Sequence, residues 1–261
     1  MKNEKIINHI TKWLTNYCIE SNQQGFIVGI SGGIDSALTS TLCALTQKKV
    51  ILLSMPIRQR KEEYDRALKH INTLKNKFEN VSSIDIDLTT TFETFEKNVP
   101  KDTYENKLSM ANSRSRLRMM TLYAIGQSNN LLVAGTGNKI EDFGVGFYTK
   151  YGDGGVDLSP IADLTKTQVT NLAKDLGIIE EILIAEPTDG LWDEEGRNDE
   201  NQIGATYPEL EWAMEYINSQ SKKEITDRQK IVINIYNKLN RQNKHKMIPI
   251  PVCEIPSELL D

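Results

Sequence analysis

Short apolar runs alternate along this chain with longer stretches in which apolar residues recur every three or four positions. The short runs predict buried strands, and the longer stretches predict amphipathic helices. The predicted helices span about 4–19, 36–46, 62–78 and 105–127, and the predicted strands span 26–30, 50–54, 81–86 and 131–134. Because strands and helices alternate, we expect an α/β fold in which helices flank both faces of a doubly wound, mostly parallel sheet.

The second half of the chain adds more helices. Residues 165–168 read as a capping box that opens a helix ending before Gly177. Two further helices are predicted over 208–219 and 225–241. The polar segment from 188 to 204 predicts a surface segment, either a lid or an ordinary loop. With 261 residues and no internal repeat, we expect a single domain over 1–261.

Composition excludes several classes of protein. The net charge of −5 gives no basic field for nucleic acid, so we expect no nucleic-acid partner. Cys18, Cys43 and Cys253 lie far apart without C-x-x-C spacing, which indicates a reducing, cytoplasmic compartment rather than a disulfide framework or a zinc site. No apolar run reaches membrane-spanning length, so we expect no membrane partner.

The most informative chemistry follows the first predicted strand, where residues 29–36 read GISGGIDS. Its glycines let backbone amides approach an anion, and Ser31 and Ser36 add hydroxyl donors at a helix start that favours negative charge. The lysine of the Walker pattern is missing. Asp35 would repel phosphate unless a divalent cation lay between them, so the loop predicts ATP phosphates with magnesium held partly by Asp35.

A second functional stretch covers residues 135–157, which read GTGNKIEDFGVGFYTKYGDGGVD and contain few core-forming residues. Its glycines predict a backbone bent around a ligand, with Lys150, Asp153 and Asp157 as charges near it. Lys166 lies in the first turn of its predicted helix, where the helix dipole disfavours a cation. An anionic ligand near Lys166 would explain its position.

These motifs together resemble the NAD synthetase family, a branch of the ATP pyrophosphatases that carry an SGGxDS loop. The resemblance also covers NSRSRLRMM (112–120), DLTKTQ (163–168), EPTDGLWDE (186–194) and NKHKMIPIP (243–251). It implies a Rossmann-like, adenine nucleotide alpha hydrolase-like fold and a homodimer. It also implies a ligase that amidates deamido-NAD to NAD with ATP and ammonia, through an NAD-adenylate, in the final step of NAD biosynthesis.

The resemblance carries roles onto matching residues. ATP would be bound by Gly29, Ile30, Ser31, Gly32, Gly33, Ile34, Asp35, Ser36, Thr136, Lys166 and Thr188. Asp35 and Glu141 would hold magnesium, and Asp153, Lys166 and Thr188 would be catalytic. Deamido-NAD would be bound by Arg116, Lys150, Asp157, His245, Lys246, Asn112 and Tyr123, the last two near a subunit interface.

Where the sequence departs from the family pattern, the roles of some residues stay open. This chain has one residue more between Glu141 and TKYGDGG, which makes Asp142 an alternative metal ligand. The segment MPIRQRKEEYDRA (55–67) differs from many members, so the adenine contacts stay open and Arg58 is only a candidate ATP contact. Arg114 and Arg118 flank Arg116 as either phosphate-binding or structural side chains.

Two alternative functions share the phosphate-binding loop. One is another adenylating pyrophosphatase, GMP synthetase-like or tRNA-modifying, although the missing C-x-x-C pairs and the acidic chain argue against tRNA. The other is a non-catalytic ATP-binding regulator, which would have no use for Lys150, Asp153 and Lys166 together. Some relatives carry a glutaminase domain, but only a short helix precedes the loop here. We therefore expect free ammonia, or ammonia from another protein, as the nitrogen source.

Overall fold

A four-stranded parallel sheet lies at the centre of the computed structural model, which describes residues 2–188, 190–192, 198–221 and 223–260. Its strands are β1 (Gly25–Gly29), β2 (Lys49–Ser54), β3 (Val81–Asp85) and β4 (Leu131–Val133). They are ordered β3-β2-β1-β4, and every neighbouring pair is parallel. A bridge from Ala134 to Leu158 extends the parallel pairing beyond β4. The predicted strands and the parallel α/β class are confirmed.

Helices flank this sheet and continue beyond it. They are α1 (Lys2–Glu20), α2 (Ile34–Leu45), α3 (Lys61–Lys77), α4 (Thr89–Asn98), α5 (Lys101–Glu105), α6 (Lys107–Ser128), α7 (Lys166–Asp175), α8 (Glu180–Leu183), α9 (Asp199–Ile203), α10 (Tyr207–Asn218) and α11 (Asp227–Met247). A π-helix covers Ile140–Val145, and a 3₁₀ turn covers Ser257–Leu259. In the described part of the chain, no helix combines the length and apolar character needed to cross a membrane.

The helices predicted from periodicity are confirmed, although α11 continues to Met247, beyond the predicted end at 241, and the short helices α5, α8 and α9 are additions to the predicted set. The helix α4 was not predicted, because its threonine-rich sequence has weak helix propensity and buries only Phe92. The helix predicted from 105 begins at Lys107, since the side chain of Asn106 caps it by accepting from the Ser109 amide at 3.0 Å.

Two apolar layers cover the faces of the sheet. Phe26 of β1 points to the face packed by α1, α2 and α7, with Leu38 and Leu172 fully or almost fully buried there. Its neighbour Ile27 points to the opposite face, which α4 and α6 cover through residues such as Phe92. This alternation places helices on both sides, as the doubly wound prediction requires.

A third apolar cluster joins the π-helix to α10 and α11. Its buried members include Ile140, Val145, Leu210, Met214, Val232 and Tyr236. Residues 135–157 were expected to contain few core-forming residues, and Ile140 and Val145 are two that are completely buried. The C-terminal helices thus hold the segment that follows β4.

A buried histidine lies between α2 and α3. His70 is 1% exposed, and its Nε2 is 2.9 Å from the hydroxyl of Ser40. Burial lowers the pKa of His70 from 6.5 to about 4. The imidazole is therefore neutral in the folded chain at neutral pH.

We expect this histidine to make stability depend on pH. As pH falls from 6.5 towards 4, the unfolded chain protonates His70 and the folded chain does not, so the free energy of unfolding decreases. The loss should reach about 3 kcal/mol, at roughly 1.4 kcal/mol per pKa unit. Urea unfolding of His70→Gln should show a weaker pH dependence over this range, whereas His9→Gln, at an exposed histidine, should behave like the unmodified chain. Equal pH dependence in all three proteins would contradict this prediction.

Candidate active site

A cavity of about 470 Å³ opens at the carboxyl ends of the strands. In the order β3-β2-β1-β4 the chain reverses direction across the sheet between β1 and β4, which is where parallel α/β sheets bind ligands. Ser54 is the last residue of β2, Ser31 and Thr136 follow β1 and β4, and all three line this cavity. The prediction that these strand ends share one rim is confirmed, and the volume suits a small-molecule ligand.

The loop of residues 29–36 is held in shape by its own serines. The hydroxyls of Ser31 and Ser36 lie 3.1 Å apart, the Gly33 amide donates to Ser31 Oγ at 3.1 Å, and Ser36 Oγ donates to the Gly33 carbonyl at 3.0 Å. Gly33 is also the N-cap of α2 and offers no side chain to cap it. The first-turn amides of α2 are thus left for an anion at the cavity wall.

Gly32 is the one loop position turned away from the cavity lining. Its φ of +84° lies in the left-handed region, and an added Cβ would meet the Glu63 carbonyl oxygen at 2.3 Å. Only glycine fits between the loop and α3. The other predicted ATP-binding residues line the cavity: Gly29, Ile30, Ser31, Gly33, Ile34, Asp35, Ser36, Thr136, Lys166 and Thr188.

A largely buried ion group forms the centre of the cavity wall. The ammonium of Lys166 donates to Asp35 Oδ2, and to Glu141 Oε1 at 3.2 Å. Burial lowers the pKa of Lys166, but the carboxylates of Asp35 and Glu141 outweigh that effect and raise it above its ordinary value. We call these three residues the Asp35–Lys166–Glu141 group. Its carboxylates explain why a cation begins α7 despite the helix dipole.

Two residues that sequence reasoning missed hold this group. Asn138 is completely buried, donates to Asp35 Oδ1 at 3.2 Å, and accepts from the amides of Ile140 and Glu141 at 3.1 and 3.2 Å. Tyr207 donates its hydroxyl to Glu141 Oε1 at 2.6 Å. Asn138 lies in the glycine-rich stretch 135–157, which the sequence marks as functional. Tyr207 is the first residue of a helix with an ordinary amphipathic pattern, so its sequence context gives no indication of a role in the site.

Glu141 and Asp142 both lie in the π-helix, a form that has one residue more per turn-closing hydrogen bond than an α-helix. Glu141 faces Lys166, whereas the Asp142 carboxylate lies against Gly137, where an added Cβ would meet Oδ1 at 2.2 Å. Burial, and then the charge of Glu141, raise the pKa of Asp142 to about 8. Both acids line the cavity, but Glu141 is the one that shares a cation with Asp35.

The donor set at this wall fits magnesium. Two carboxylates converge on one cation, and oxygen ligands are the ones that magnesium prefers. No group of three or more His, Cys, Asp and Glu side chains in the described ranges could hold a metal ion by itself. A magnesium ion here would therefore use Asp35 and Glu141 together with ligand oxygens and water, which is its usual mode of binding.

The segment that begins at Thr188 is fastened over the cavity by α3 and α6. Thr188 Oγ1 donates to Glu63 Oε1 at 3.0 Å. The buried Arg114 donates to the Leu191 carbonyl at 3.0 Å, and its guanidinium lies 5.1 Å from the Phe92 ring centroid. The predicted lid also includes Asp189 and residues 193–197, which lie outside the described residues.

The three arginines of α6 have different environments. Arg118 lines the cavity and donates to the Met55 carbonyl at 3.1 Å and to Gln59 Oε1 at 2.9 Å. Arg116 is exposed and lies outside the cavity lining. Arg114 packs inside the protein, so the alternating pattern does not describe one charged surface. Arg58, the candidate ATP contact, also lies outside the lining, and its guanidinium pairs with Glu96 and Glu93 of α4 at 2.5 and 3.5 Å.

Asp153 lies at the far wall of the cavity. Its Oδ1 accepts from the Ser115 hydroxyl at 2.6 Å and from the Thr149 amide at 3.0 Å. These bonds orient the carboxylate between α6 and the segment 146–157. Asp153 therefore joins the phosphate side of the cavity to the residues predicted to bind the second substrate.

The residues predicted to bind deamido-NAD lie outside the cavity lining and group along the segment 146–157. Arg116 Nε donates to the Lys150 carbonyl at 3.2 Å, and Lys150 Nζ donates to the His245 carbonyl at 3.0 Å. Lys246 Nζ donates to the carbonyl oxygens of Tyr148, at 2.7 Å, and Gly146. Residues of both α6 and α11 thus form hydrogen bonds with this segment.

The other three members of that set lie beside β4 and α6. Asn112 Oδ1 accepts from the Thr149 hydroxyl at 2.7 Å. The Tyr123 hydroxyl donates to Asp157 Oδ1 at 3.0 Å, and Asp157 Oδ2 accepts from the Val133 amide at 2.8 Å. All of these residues therefore border one continuous segment next to the cavity.

Comparison with known proteins agrees with this geometry. The family model described as NAD synthase matches residues 6–249. An NH(3)-dependent NAD(+) synthetase of Carboxydothermus hydrogenoformans is 36% identical over 247 residues, covering 94% of this chain and 93% of the relative. The solved NMN synthetase of Francisella tularensis superposes with a TM-score of 0.84 at 29% identity, covering 98% of this chain and 99% of that one. The solved NH3-dependent NAD synthetase of Campylobacter jejuni superposes with a TM-score of 0.79 at 26% sequence identity. The match covers 97% of this chain and 100% of that one.

We expect the Asp35–Lys166–Glu141 group to be important for stability as well as for ligand binding. Lys166→Met would leave two largely buried carboxylates without their cation, which should lower the free energy of unfolding by about 3 to 5 kcal/mol. Lys139→Met is a matched control, because Lys139 pairs with the exposed Asp163 at 2.8 Å and its loss should cost below about 1 kcal/mol. Urea unfolding of both variants measures the difference, and equal stabilities would contradict this prediction.

Proposed function

The chain belongs to the NAD synthase family, and from that premise we propose that it is a ligase that amidates deamido-NAD to NAD with ATP and ammonia. AMP and pyrophosphate are the other products, and the reaction is the final step of NAD biosynthesis. The observation that carries this proposal is the cavity between β1 and β4, where the loop 29–36 faces the Asp35–Lys166–Glu141 group. The relatives' dependence on NH(3) supports ammonia as the nitrogen source.

The substrate's carboxylate explains why ATP is needed. A carboxylate repels nucleophiles, and it could form an amide directly only by expelling oxide. We infer that a carboxylate oxygen attacks the α-phosphorus of ATP, which forms an NAD-adenylate as the bond to pyrophosphate breaks. Ammonia then attacks the carbonyl carbon, the bond to AMP breaks, and the nitrogen loses a proton to give the amide.

The phosphate side of the cavity suits the first step. The first-turn amides of α2 and the hydroxyls of Ser31 and Ser36 would bind phosphate oxygens, while Lys166 would offset the charge that develops on pyrophosphate. Asp35 and Glu141 would hold magnesium, which when bound supplies positive charge to the phosphates. Thr136 and Thr188 line the same space and would complete the ATP site.

The segment 146–157 suits the second substrate. We propose that its bordering residues bind deamido-NAD: Asn112, Arg116, Tyr123, Lys150, Asp157, His245 and Lys246. Their mutual hydrogen bonds keep this surface formed before substrate arrives, which reduces the entropy lost on binding. Asp153 stands between this surface and the ATP site, so we place it beside the reacting carboxylate.

A second candidate acceptor is nicotinate mononucleotide. The solved NMN synthetase has a higher TM-score and a higher identity to this chain than the solved Campylobacter NAD synthetase. The mononucleotide carries the same reacting carboxylate and lacks only the adenylate half of deamido-NAD. Both acceptors would therefore use the same ATP chemistry, and only binding would distinguish them.

We also propose that the chain forms a homodimer through α6. Met120 and Tyr123 are 63% and 36% exposed on the same face of α6 as Arg116, so apolar side chains adjoin the proposed substrate surface. The tail from Ile248 to Leu260 is exposed throughout and includes further apolar residues such as Val252. Burying such surface is the common reason for a homodimer contact.

The amidation itself is tested by mixing the chain with deamido-NAD, ATP, magnesium and ammonium chloride. We expect NAD and AMP to form in equal amounts, because each adenylate that ammonia resolves releases one AMP. A coupled dehydrogenase follows NAD, and chromatography follows AMP. AMP without NAD would contradict the acceptor, and the absence of both would favour the ATP-binding regulator.

Parallel reactions sharpen this test. Glutamine in place of ammonium should give little NAD, since the proposal uses free ammonia. Nicotinate mononucleotide in place of deamido-NAD decides between the two acceptors through the ratio of their kcat/KM values. A higher kcat/KM for the mononucleotide would show that it, and not deamido-NAD, is the main substrate. The ATP chemistry of the proposal would be unchanged.

The dimer is tested by light scattering after size exclusion. We expect twice the mass of one chain, and Met120→Glu should shift the protein towards the monomer because it places a charge in the apolar contact. Ile19→Glu on α1 is the matched control, because Ile19 is 60% exposed on a helix that packs against the opposite face of the sheet. A monomer at all concentrations of the unmodified chain would contradict the dimer.

A further inference from the structure

Tyr207 contacts two of the three residues of the Asp35–Lys166–Glu141 group, namely Glu141 and Lys166. It is the first residue of α10 and is 3% exposed. Its hydroxyl donates at 2.6 Å to Glu141 Oε1, the same oxygen to which Lys166 donates at 3.2 Å. The Lys166 ammonium also lies 4.8 Å from the centroid of the Tyr207 ring, within cation–π range. One side chain therefore fixes both the carboxylate and the cation.

The position of Tyr207 is itself fixed from the opposite side. Its backbone amide donates to Glu200 Oε1 of α9 at 2.8 Å. Thr206 and Glu209 form a capping box around the start of α10, and the Tyr207 ring packs in the third apolar cluster. The hydroxyl is thus presented to Glu141 by a well-supported helix start.

In this contact the Tyr207 hydroxyl donates a hydrogen bond to the Glu141 carboxylate. Burial, and then the charge of Glu141, raise the pKa of Tyr207 above its ordinary value, so the hydroxyl keeps its proton. A hydrogen bond from a neutral hydroxyl to a buried carboxylate is a strong one and orients the acceptor. The contact would remain when the Lys166 ammonium turned towards ATP phosphates.

We propose that Tyr207 is a positioning residue that holds the Glu141 carboxylate beside Asp35 so that both can take one divalent cation. This role rests on the magnesium site of the proposed function. Through the Tyr207 hydroxyl, the helix α10 would then help to form the metal site beside the loop 29–36. A purely packing role for Tyr207 would need the ring and not the hydroxyl.

The test measures metal binding without turnover. Mn²⁺ is titrated by electron paramagnetic resonance in the presence of α,β-methylene-ATP, which cannot be cleaved between its α and β phosphates. Tyr207→Phe should weaken Mn²⁺ binding by about tenfold, the loss typical of removing a hydrogen-bond partner of a metal ligand. Tyr216→Phe is the matched control on the same helix, because its hydroxyl bonds to the Lys223 carbonyl at 3.0 Å, and its Mn²⁺ affinity should not change.

A second variant pair separates positioning from general damage. If Tyr207 acts through Glu141, adding Tyr207→Phe to Glu141→Gln should cause little further loss of Mn²⁺ affinity. Circular dichroism and urea unfolding establish that each variant is folded. Unchanged Mn²⁺ binding by Tyr207→Phe, or a full additional loss in the Glu141→Gln background, would overturn the proposal. No Mn²⁺ binding by the unmodified chain would also overturn it, whereas NAD formation by that chain would still support the amidation.

Discussion

The ammonium of Lys166, held between Asp35 and Glu141, is the interaction on which the rest of the site depends. Its three residues come from the loop after β1, the π-helix after β4 and the start of α7. Two carboxylates at this depth would repel each other without a cation between them. The protein therefore supplies its own cation at the position where the proposed function places a phosphate-bound metal. Under that proposal, ligand binding would exchange the Lys166 contacts for contacts with the metal and the phosphates.

This requirement explains the arrangement of the C-terminal helices. The π-helix that carries Glu141 has no strand pairing of its own, and its apolar residues Ile140 and Val145 are buried against α10 and α11. Tyr207 adds a polar contact to the same interface. Glu211 of α10 accepts from the Thr167 amide at 2.8 Å, which ties the start of α7 to the same helix. The third apolar cluster thus supports two of the three charged residues.

Much of this architecture could be predicted from sequence because its signals are local. Short apolar runs such as 26–28 are typical of buried strands, and GISGGIDS joins one of them to a helix. The capping box at Thr165 fixed where α7 begins, and the structure contains it. The π-helix and Tyr207 could not be predicted in this way. An extra residue in a helix leaves no periodic signature, and a tyrosine at a helix start is ordinary until the fold places Glu141 within 2.6 Å of it.

The charges around the cavity give an independent reason for a divalent cation. Among the described residues that line it, acidic side chains outnumber basic ones: Asp35, Glu63, Glu141, Asp142, Asp153, Glu186, Asp199 and Glu200 against Arg66, Arg118 and Lys166. Burial raises the pKa values of Asp142, Asp153 and Asp35, which reduces the negative charge of the cavity near neutral pH. Without these three acids, the lining still has five acidic side chains against three basic ones. Such a cavity repels a polyanion, and Lys166 cannot reverse the sign because its single positive charge is already shared by two carboxylates. The proposed magnesium ion at Asp35 and Glu141 would supply positive charge together with the nucleotide.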